Sequence, residues 1–318
     1  MHLKKPNFWD KKDITFWSIF LFPISLAIQS LFFIKKVTTK KNYFSKKTII
    51  CIGNIYLGGT GKTPLAIEIS LILKNLNLKS AIIKKFYNDQ FDEVELIKNK
   101  IKNVIVRSSR YVAIQIAIKK KFNILILDDG LQDNSIYKDL NIVCFNNNQL
   151  IGNSLTIPSG PLREPLRSIK NCKIALINVN NIKEKNRKFE KKIKSLSKST
   201  QIFYSSYLPS KSTIKKFSKK KILAFAGIGN PENFFNLLTR FGLNIKRKLI
   251  FPDHYIYKKE ELDEIIIDSK LNNYTILTTE KDFYRIKKFK FKEIKYIKVN
   301  LKILQKNKFI KELQKYIK

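Results

Sequence analysis

Beyond residue 40 the chain alternates between short apolar runs and stretches of helical spacing, which predicts an α/β fold on a mostly parallel sheet with flanking helices. Thr48–Ile52 reads as a strand, and Pro64–Leu76 as a helix with Leu65, Ile69, Ile72, Leu73 and Leu76 on one face. Ala81–Ile83 and Val104–Val106 are short strand candidates, and Tyr111–Ile118 is a helix candidate. Asn123–Leu127 is a continuous apolar strand of the kind buried on both faces. Strands at Asn141–Phe145 and Lys173–Val179 follow. Around 181–200 the chain turns polar and lysine-rich, and the run Lys183–Lys194 is most simply a solvated helix face. A boundary placed there gives a core domain over 41–180 and a smaller α/β domain over 181–318. The second domain would carry strands Ile202–Tyr204, Ile222–Ala226, Arg247–Phe251, Thr275–Leu277 and Lys295–Val299. Its helices would be Pro231–Arg240, Lys258–Asp268 and Gln305–Ile317, the last free to pack back on the core. No internal repeat is evident.

Residues 1–40 form a third segment, an apolar N-terminal helix. The stretch from Ile14 to Ile34 carries no charge and is flanked by Lys11-Lys12 and Lys35-Lys36. It is long enough to cross a bilayer as a helix, but Pro23 interrupts it and Ser18, Ser25, Gln29 and Ser30 dilute it. No small-residue cleavage site follows, which argues against a signal peptide. Three readings stay open: a spanning anchor, a helix in the membrane interface with Trp9 and Trp17 near the headgroups, and a buried helix. Lysines on both sides set no orientation.

Charge changes the picture more than length does. The 318 residues hold 63 Lys+Arg against 25 Asp+Glu, a formal +38. A nucleic-acid binder would gather such cations into a stripe. Here they are spread along the chain and rise together with Ile and Asn, as an AT-biased genome would produce. Compositional drift and attraction to an anionic membrane surface, worth about 1 kcal/mol per cation near it, are the two readings, and no nucleic-acid partner is expected. The three cysteines form no CxxC pair; Cys51 and Cys144 lie in apolar strand runs, as small core residues in a reducing setting.

Gly58-Gly59-Thr60-Gly61-Lys62-Thr63 follows a strand and opens a helix, the setting in which a glycine-rich loop cradles phosphates. The glycines turn backbone N–H groups inward, the helix start adds its positive dipole end, Lys62 reaches the β and γ phosphates, and the Thr63 hydroxyl can ligate Mg²⁺. ATP and Mg²⁺ are therefore the expected cofactors, with Tyr56 and Leu57 completing the nucleotide-binding stretch. The loop departs from the commonest form in one place, since Tyr56 stands where a glycine is usual. Asp128-Asp129-Gly130, directly after an apolar strand, supplies a carboxylate of the kind that supports the metal. Three further segments are too unusual for mere turns: Pro158–Arg167, Gly227–Phe234 and Phe251-Pro252-Asp253-His254-Tyr255. His254 is one of two histidines; the other, His2, lies in the N-terminal tail.

Taken in order, Gly53-Asn54…Gly58–Pro64, Leu127-Asp128-Asp129-Gly130-Leu131-Gln132, Pro161–Pro165, Ala226–Pro231, Phe251–Tyr255 and Thr278-Thr279-Glu280-Lys281-Asp282 resemble the tetraacyldisaccharide 4'-kinase family of lipid A biosynthesis, over nearly the whole chain. The resemblance implies a P-loop NTPase-like kinase fold at the cytoplasmic face of the bacterial inner membrane, with a monomer favoured. The activity implied is transfer of the γ-phosphate of ATP to the 4'-hydroxyl of a tetraacylated disaccharide 1-phosphate lipid, giving lipid IVA. It also implies that Asp92 is the base near the acceptor hydroxyl, that His254 supports it, and that Arg110 and Arg163 lie near the reacting phosphates. Glu164 would join Thr63, Asp128 and Asp129 near the metal, and Asn54, Arg110 and Gln132 would belong to the acceptor site.

Two departures from the family pattern touch that pocket. Where the family usually carries Ser-Arg-Gly-Tyr-Gly-Arg after the second strand, this chain has Lys84-Lys85-Phe86-Tyr87-Asn88-Asp89 and reaches Asp92 after a shorter loop. Asp133 stands where a histidine is usual. A membrane-recruited ATPase switch without an acceptor is the alternative; it explains the loop and the apolar helix but not the Arg163-Glu164 and His254 segments.

Overall fold

The computed structural model describes residues 5–11, 13–87, 90–181 and 184–317. His2, Lys12, Asn88, Asp89 and Lys183, named above, lie outside them. In chain order the elements are α1 (Phe16–Phe20), α2 (Phe22–Thr38), β1 (Thr48–Gly53), α3 (Lys62–Asn75), β2 (Ser80–Lys85), α4 (Phe91–Lys100), β3 (Val104–Arg107), α5 (Arg110–Lys119), β4 (Ile124–Asp128) and β5 (Leu140–Asn146). Then come β6 (Ile174–Asn178), α6 (Arg187–Leu196), β7 (Gln201–Pro209), α7 (Lys211–Phe217), β8 (Lys221–Ala226), α8 (Pro231–Arg240), β9 (Asn244–Ile250), α9 (Lys259–Leu271), β10 (Thr275–Thr278), α10 (Glu280–Ile286), β11 (Lys295–Tyr296), β12 (Val299–Ile303) and α11 (Lys306–Gln314).

Eight strands make one sheet in the order β12-β7-β6-β5-β1-β4-β2-β3, and four make a second in the order β11-β10-β8-β9. Neighbours run parallel throughout, except that β12 is antiparallel to β7. Parallel strands buried on both faces favour near-continuous apolar runs, and β1 and β4, buried along their whole length, carry them from Ile49 to Ile52 and from Ile124 to Leu127. One face of the large sheet is covered by α3, whose Leu65, Ile69 and Leu73 pack with Ile50, Ile52 and Ile126. On the other, Ala113, Ile114 and Ala117 of α5 pack with Ile49, Cys51 and Leu125. All three cysteines are buried free thiols. The chain moves outward from β1 to β2 and β3, returns to β4, and crosses β1 to β5. That reversal opens a crevice at the C-terminal ends of β1, β4 and β5, where an open α/β sheet binds its ligands.

The large sheet does not stop where the chain turns polar. The lysine-rich stretch is an amphipathic helix, α6, that buries Phe189 and Ile193, and β7 beyond it pairs in parallel with β6. The chain leaves the large sheet only after Pro209, beyond the boundary expected at 181. The second sheet occupies 221–296, and the chain then comes back: β12 adds to the large sheet, and Phe309 and Leu313 of α11 join its core. Phe309 is fully buried, edge-on to Phe203 at 5.3 Å.

The N-terminal apolar run breaks at Leu21 into α1 and α2, with Pro23 in the first turn of α2. No helix among the described residues is long and apolar enough to cross a membrane. The packing is inverted relative to an ordinary surface helix. The residues α1 and α2 bury are serines, Ser18 and Ser25. Ser25 Oγ donates to the Thr156 carbonyl at 3.0 Å, and Gln29 Nε2 donates to Thr156 Oγ1 at 2.7 Å. Phe16, Trp17, Phe20, Leu31, Phe32 and Phe33 face outward.

If α11 completes the first core, Phe309→Ala will cost about 3–5 kcal/mol of unfolding free energy in a urea titration, as truncating a buried phenylalanine does.

Candidate active site

The phosphate loop lies at the crevice, between β1 and α3. Gly61 sits at φ 92° as the residue before α3, a left-handed conformation that glycine adopts without penalty. The loop lines a cleft of about 550 Å³, together with Asp129, Arg163, Asp253, His254 and Lys281. The turn after β8 presses on the loop. A Cβ at Gly229 would come within 3.1 Å of the Gly59 nitrogen and 2.9 Å of Asp253 Oδ2, which accounts for the second glycine of Gly227-Ile228-Gly229.

Asp128 ends β4 beneath Thr63, whose hydroxyl donates to Asp128 Oδ2 at 2.9 Å. Asp128 Oδ1 is buried and has no hydrogen-bond partner in the structure. Asp129 follows at φ 59°, an uncommon backbone state outside glycine, and points into the cleft. Its carboxylate accepts from Arg163 Nη1 at 3.1 Å and lies 3.7 Å from Lys62 Nζ. Burial alone would raise the Asp129 carboxyl, but Lys62 and Arg163 more than offset it and hold it below the usual range. Burial also lowers Lys62, against the pull of Asp129.

Asp92, in the first turn of α4, is almost wholly buried. Arg285 Nη2 donates to its Oδ2 at 2.6 Å, while Oδ1 has no hydrogen-bond partner and stands 3.9 Å from His254 Nδ1. His254 has φ 57°, again left-handed, at a loop tip between β9 and α9.

The chain matches a family model described as tetraacyldisaccharide-1-P 4'-kinase over residues 17–318. The chain belongs to that family. A tetraacyldisaccharide 4'-kinase of Pelagibacter ubique is 42% identical over 99% of this chain and 98% of its own length. One from Rickettsia bellii is 34% identical over 88% and 89%. Among solved structures, a crystal structure of an "apo" form of LpxK from Aquifex aeolicus in complex with ATP superposes with a TM-score of 0.72 at 20% identity, covering 95% of this chain and 99% of that one. The shared fold extends over both sheets.

Against this family pattern the structure sorts the expected residues into groups. Leu57 to Thr63, Arg163 and His254 line the cleft, with Asp129 among them. Asp128 and Asp92 stand behind it, one under Thr63 and the other behind His254. Tyr56, expected in the nucleotide-binding stretch, does not line the cleft. Its ring is 1% exposed in the core with Leu162, and its hydroxyl donates to Asp10 Oδ1 and accepts from Lys5. The tyrosine in the usual glycine position thus fastens the N-terminal segment to the body. Glu164 turns away from the cleft and accepts from Gln132 Nε2 at 2.8 Å; Gln132 in turn donates to the Asn54 carbonyl. Asn54 Nδ2 bonds the carbonyls of Tyr56 and Gly58, bracing the loop. Arg110 pairs with Asp133 at 3.1 Å and with the Asp129 carbonyl at 2.6 Å, so the aspartate found where a histidine is usual balances a buried arginine.

A second set of charged groups escaped the sequence reading. Helix α10 is capped by Thr279, whose side chain accepts from the Asp282 nitrogen. Its Lys281 and Arg285, four residues apart on one face, reach the adjacent acids Glu93 and Asp92 of α4. Arg285 also bonds Asp282 Oδ1 at 2.8 Å and the Gly227 carbonyl. Burial would raise Glu93, yet Lys281 and Lys84 hold it well below the ordinary carboxylate range. The i, i+4 spacing of Lys281 and Arg285 after a Thr-x-x-Asp cap was a readable signal; its partners, nearly two hundred residues earlier, were not.

Arg285→Ala leaves two buried carboxylates short of a cation and is expected to cost roughly 3–5 kcal/mol of stability in chemical denaturation. Arg285→Lys, which keeps the charge but loses the planar fork, is expected to recover part of that.

Proposed function

We propose that the chain transfers the γ-phosphoryl group of ATP to the 4'-hydroxyl of a tetraacyldisaccharide 1-phosphate, producing lipid IVA for lipid A biosynthesis. Family membership over residues 17–318 supports the reaction class, and the half-satisfied Asp92 carboxylate is the observation that supports the acceptor chemistry. One oxygen is held by Arg285, and the other is left without a donor beside His254, which lines the same cleft as the phosphate loop. A switch ATPase without an acceptor has no use for a base so placed.

Phosphoryl transfer needs alignment and charge neutralisation more than covalent chemistry. The loop nitrogens and Lys62 hold the β and γ phosphates, and Arg163, carried on Asp129, meets the charge that spreads over the transferring group. Asp92 Oδ1 accepts the proton of the attacking hydroxyl, and His254, adjacent to it, orients the pair. The donor set suits a hard cation: the Thr63 hydroxyl, the unpartnered Asp128 Oδ1 and the cleft-facing Asp129 are all oxygens. Among the described residues no three acidic, histidine or cysteine side chains gather closely enough to hold a metal by themselves. Thr63, Asp128 and Asp129 would hold Mg²⁺, which would supply neutralisation of phosphate charge.

The acceptor is a lipid, and the outward apolar face of α1 and α2 is suited to lie in a membrane interface. The basic surface adds attraction to anionic headgroups. Together they hold the enzyme at the cytoplasmic face of the inner membrane, where the substrate resides.

In an assay with ATP and the acylated disaccharide 1-phosphate, wild type is expected to form the bisphosphorylated lipid. Lys62→Ala is expected to abolish transfer, and Asp92→Asn to lower kcat by about 10²–10⁴-fold. Undiminished turnover in Lys62→Ala sinks the reading. Replacing Leu31, Phe32 and Phe33 together by serine is expected to weaken cosedimentation with anionic vesicles at least tenfold, roughly the effect of removing one buried apolar side chain or more. Activity on detergent-dispersed acceptor should persist in that variant.

A further inference from the structure

Lys84, the penultimate residue of β2, is buried to 2% exposure and has no place in the mechanism above. Its ammonium lies 3.0 Å from Asp128 Oδ2 and 2.6 Å from Glu93 Oε2. Thr63 Oγ1 approaches the same two oxygens at 2.9 and 3.4 Å. A lysine nitrogen therefore sits among the oxygens that would otherwise draw a divalent cation, in a segment where the family usually carries Ser-Arg.

The local charges already more than cancel without a metal, three carboxylates facing four cations. Asp128, Asp129 and Glu93 face Lys62, Lys84, Arg163 and Lys281. A divalent cation entering alone would leave buried positive charge uncompensated, which is costly in a weakly polarisable site. Nucleotide phosphates bring the missing negative charge. Asp128 shows the same division: Oδ2 is taken by Thr63 and Lys84, and Oδ1 is left over.

We propose that Lys84 is a built-in cation of the metal site, which neutralises Asp128 and Glu93 in the nucleotide-free protein and so confines divalent-cation binding to the nucleotide complex. The inference rests on the nucleotide-site reading above but not on the identity of the acceptor.

The test is Mn²⁺ titration of the full chain, followed by the electron paramagnetic resonance of free Mn²⁺, with no acceptor present. Wild type is expected to bind Mn²⁺ weakly alone and at least tenfold more tightly with a non-hydrolysable ATP analogue. Lys84→Met is expected to bind Mn²⁺ without nucleotide at least tenfold more tightly than wild type, and its Tm is expected to rise with added Mg²⁺ where the wild-type Tm does not. Lys84→Met combined with Glu93→Gln, which restores the charge count, is expected to return nucleotide-free Mn²⁺ binding to the wild-type level. Tight Mn²⁺ binding by nucleotide-free wild type overturns the proposal whether or not the variants fold, as does a folded Lys84→Met that binds no more tightly than wild type. Failure of the analogue itself to bind would instead remove the nucleotide-site reading.

Discussion

A carboxylate taken out of water must meet a cation, and this protein gathers the buried Asp92 and Asp128 and the half-buried Glu93 and Asp129 at the C-terminal end of its large sheet. Everything around the cleft answers that demand. Lys62 and Arg163 come from the loop after β1 and the segment after β5, Lys84 from the end of β2, and Lys281 and Arg285 from α10 of the second sheet. Breaking such a pair costs far more than the pair contributes, because the surviving charge stays buried. The parts of the chain that carry the two sheets are thereby tied at the site itself. Asp92 stands on α4 beside the large sheet, and the arginine and histidine that frame it come from the part of the chain that carries the second sheet. A displaced second domain would loosen the cleft and the base together.

The surface obeys different rules. The formal +38 of the whole chain does not reappear at the site, where acids and bases are closely matched. The excess lysine is in solvent, on faces such as that of α6, whose inner side holds Phe189 and Ile193. The N-terminal helices invert the usual arrangement, docking through Ser18, Ser25 and Gln29 and leaving aromatic side chains outside. A polar seam to the body and an apolar face outward suit a helix whose second partner is not water.

Much of this was readable in the order of residues. Continuous apolar runs mark β1 and β4 because strands buried on both faces tolerate nothing else. The phosphate loop is legible because glycine, lysine and threonine at that spacing perform backbone and charge tasks that other residues cannot. Less legible were α4, only ten residues long and heavily charged, and the place of β7, read as a strand at Ile202–Tyr204 but assigned beyond the polar boundary rather than to the large sheet. The position of Tyr56 was known but its task was not, since the ring's partners Asp10 and Lys5 lie some fifty residues earlier.

Sequence alone determined the α/β class, the nucleotide loop and the family, since these depend on local periodicity and on short motifs whose chemistry sits in consecutive residues. Tertiary structure decided which charges meet: that Arg285 holds Asp92, that Lys84 enters the carboxylate pair, that Arg110 answers Asp133, and that the chain returns to its first sheet through β12 and α11. Those pairings join residues far apart along the chain. Their necessity arises only once folding removes the groups from water, so no local pattern announces them.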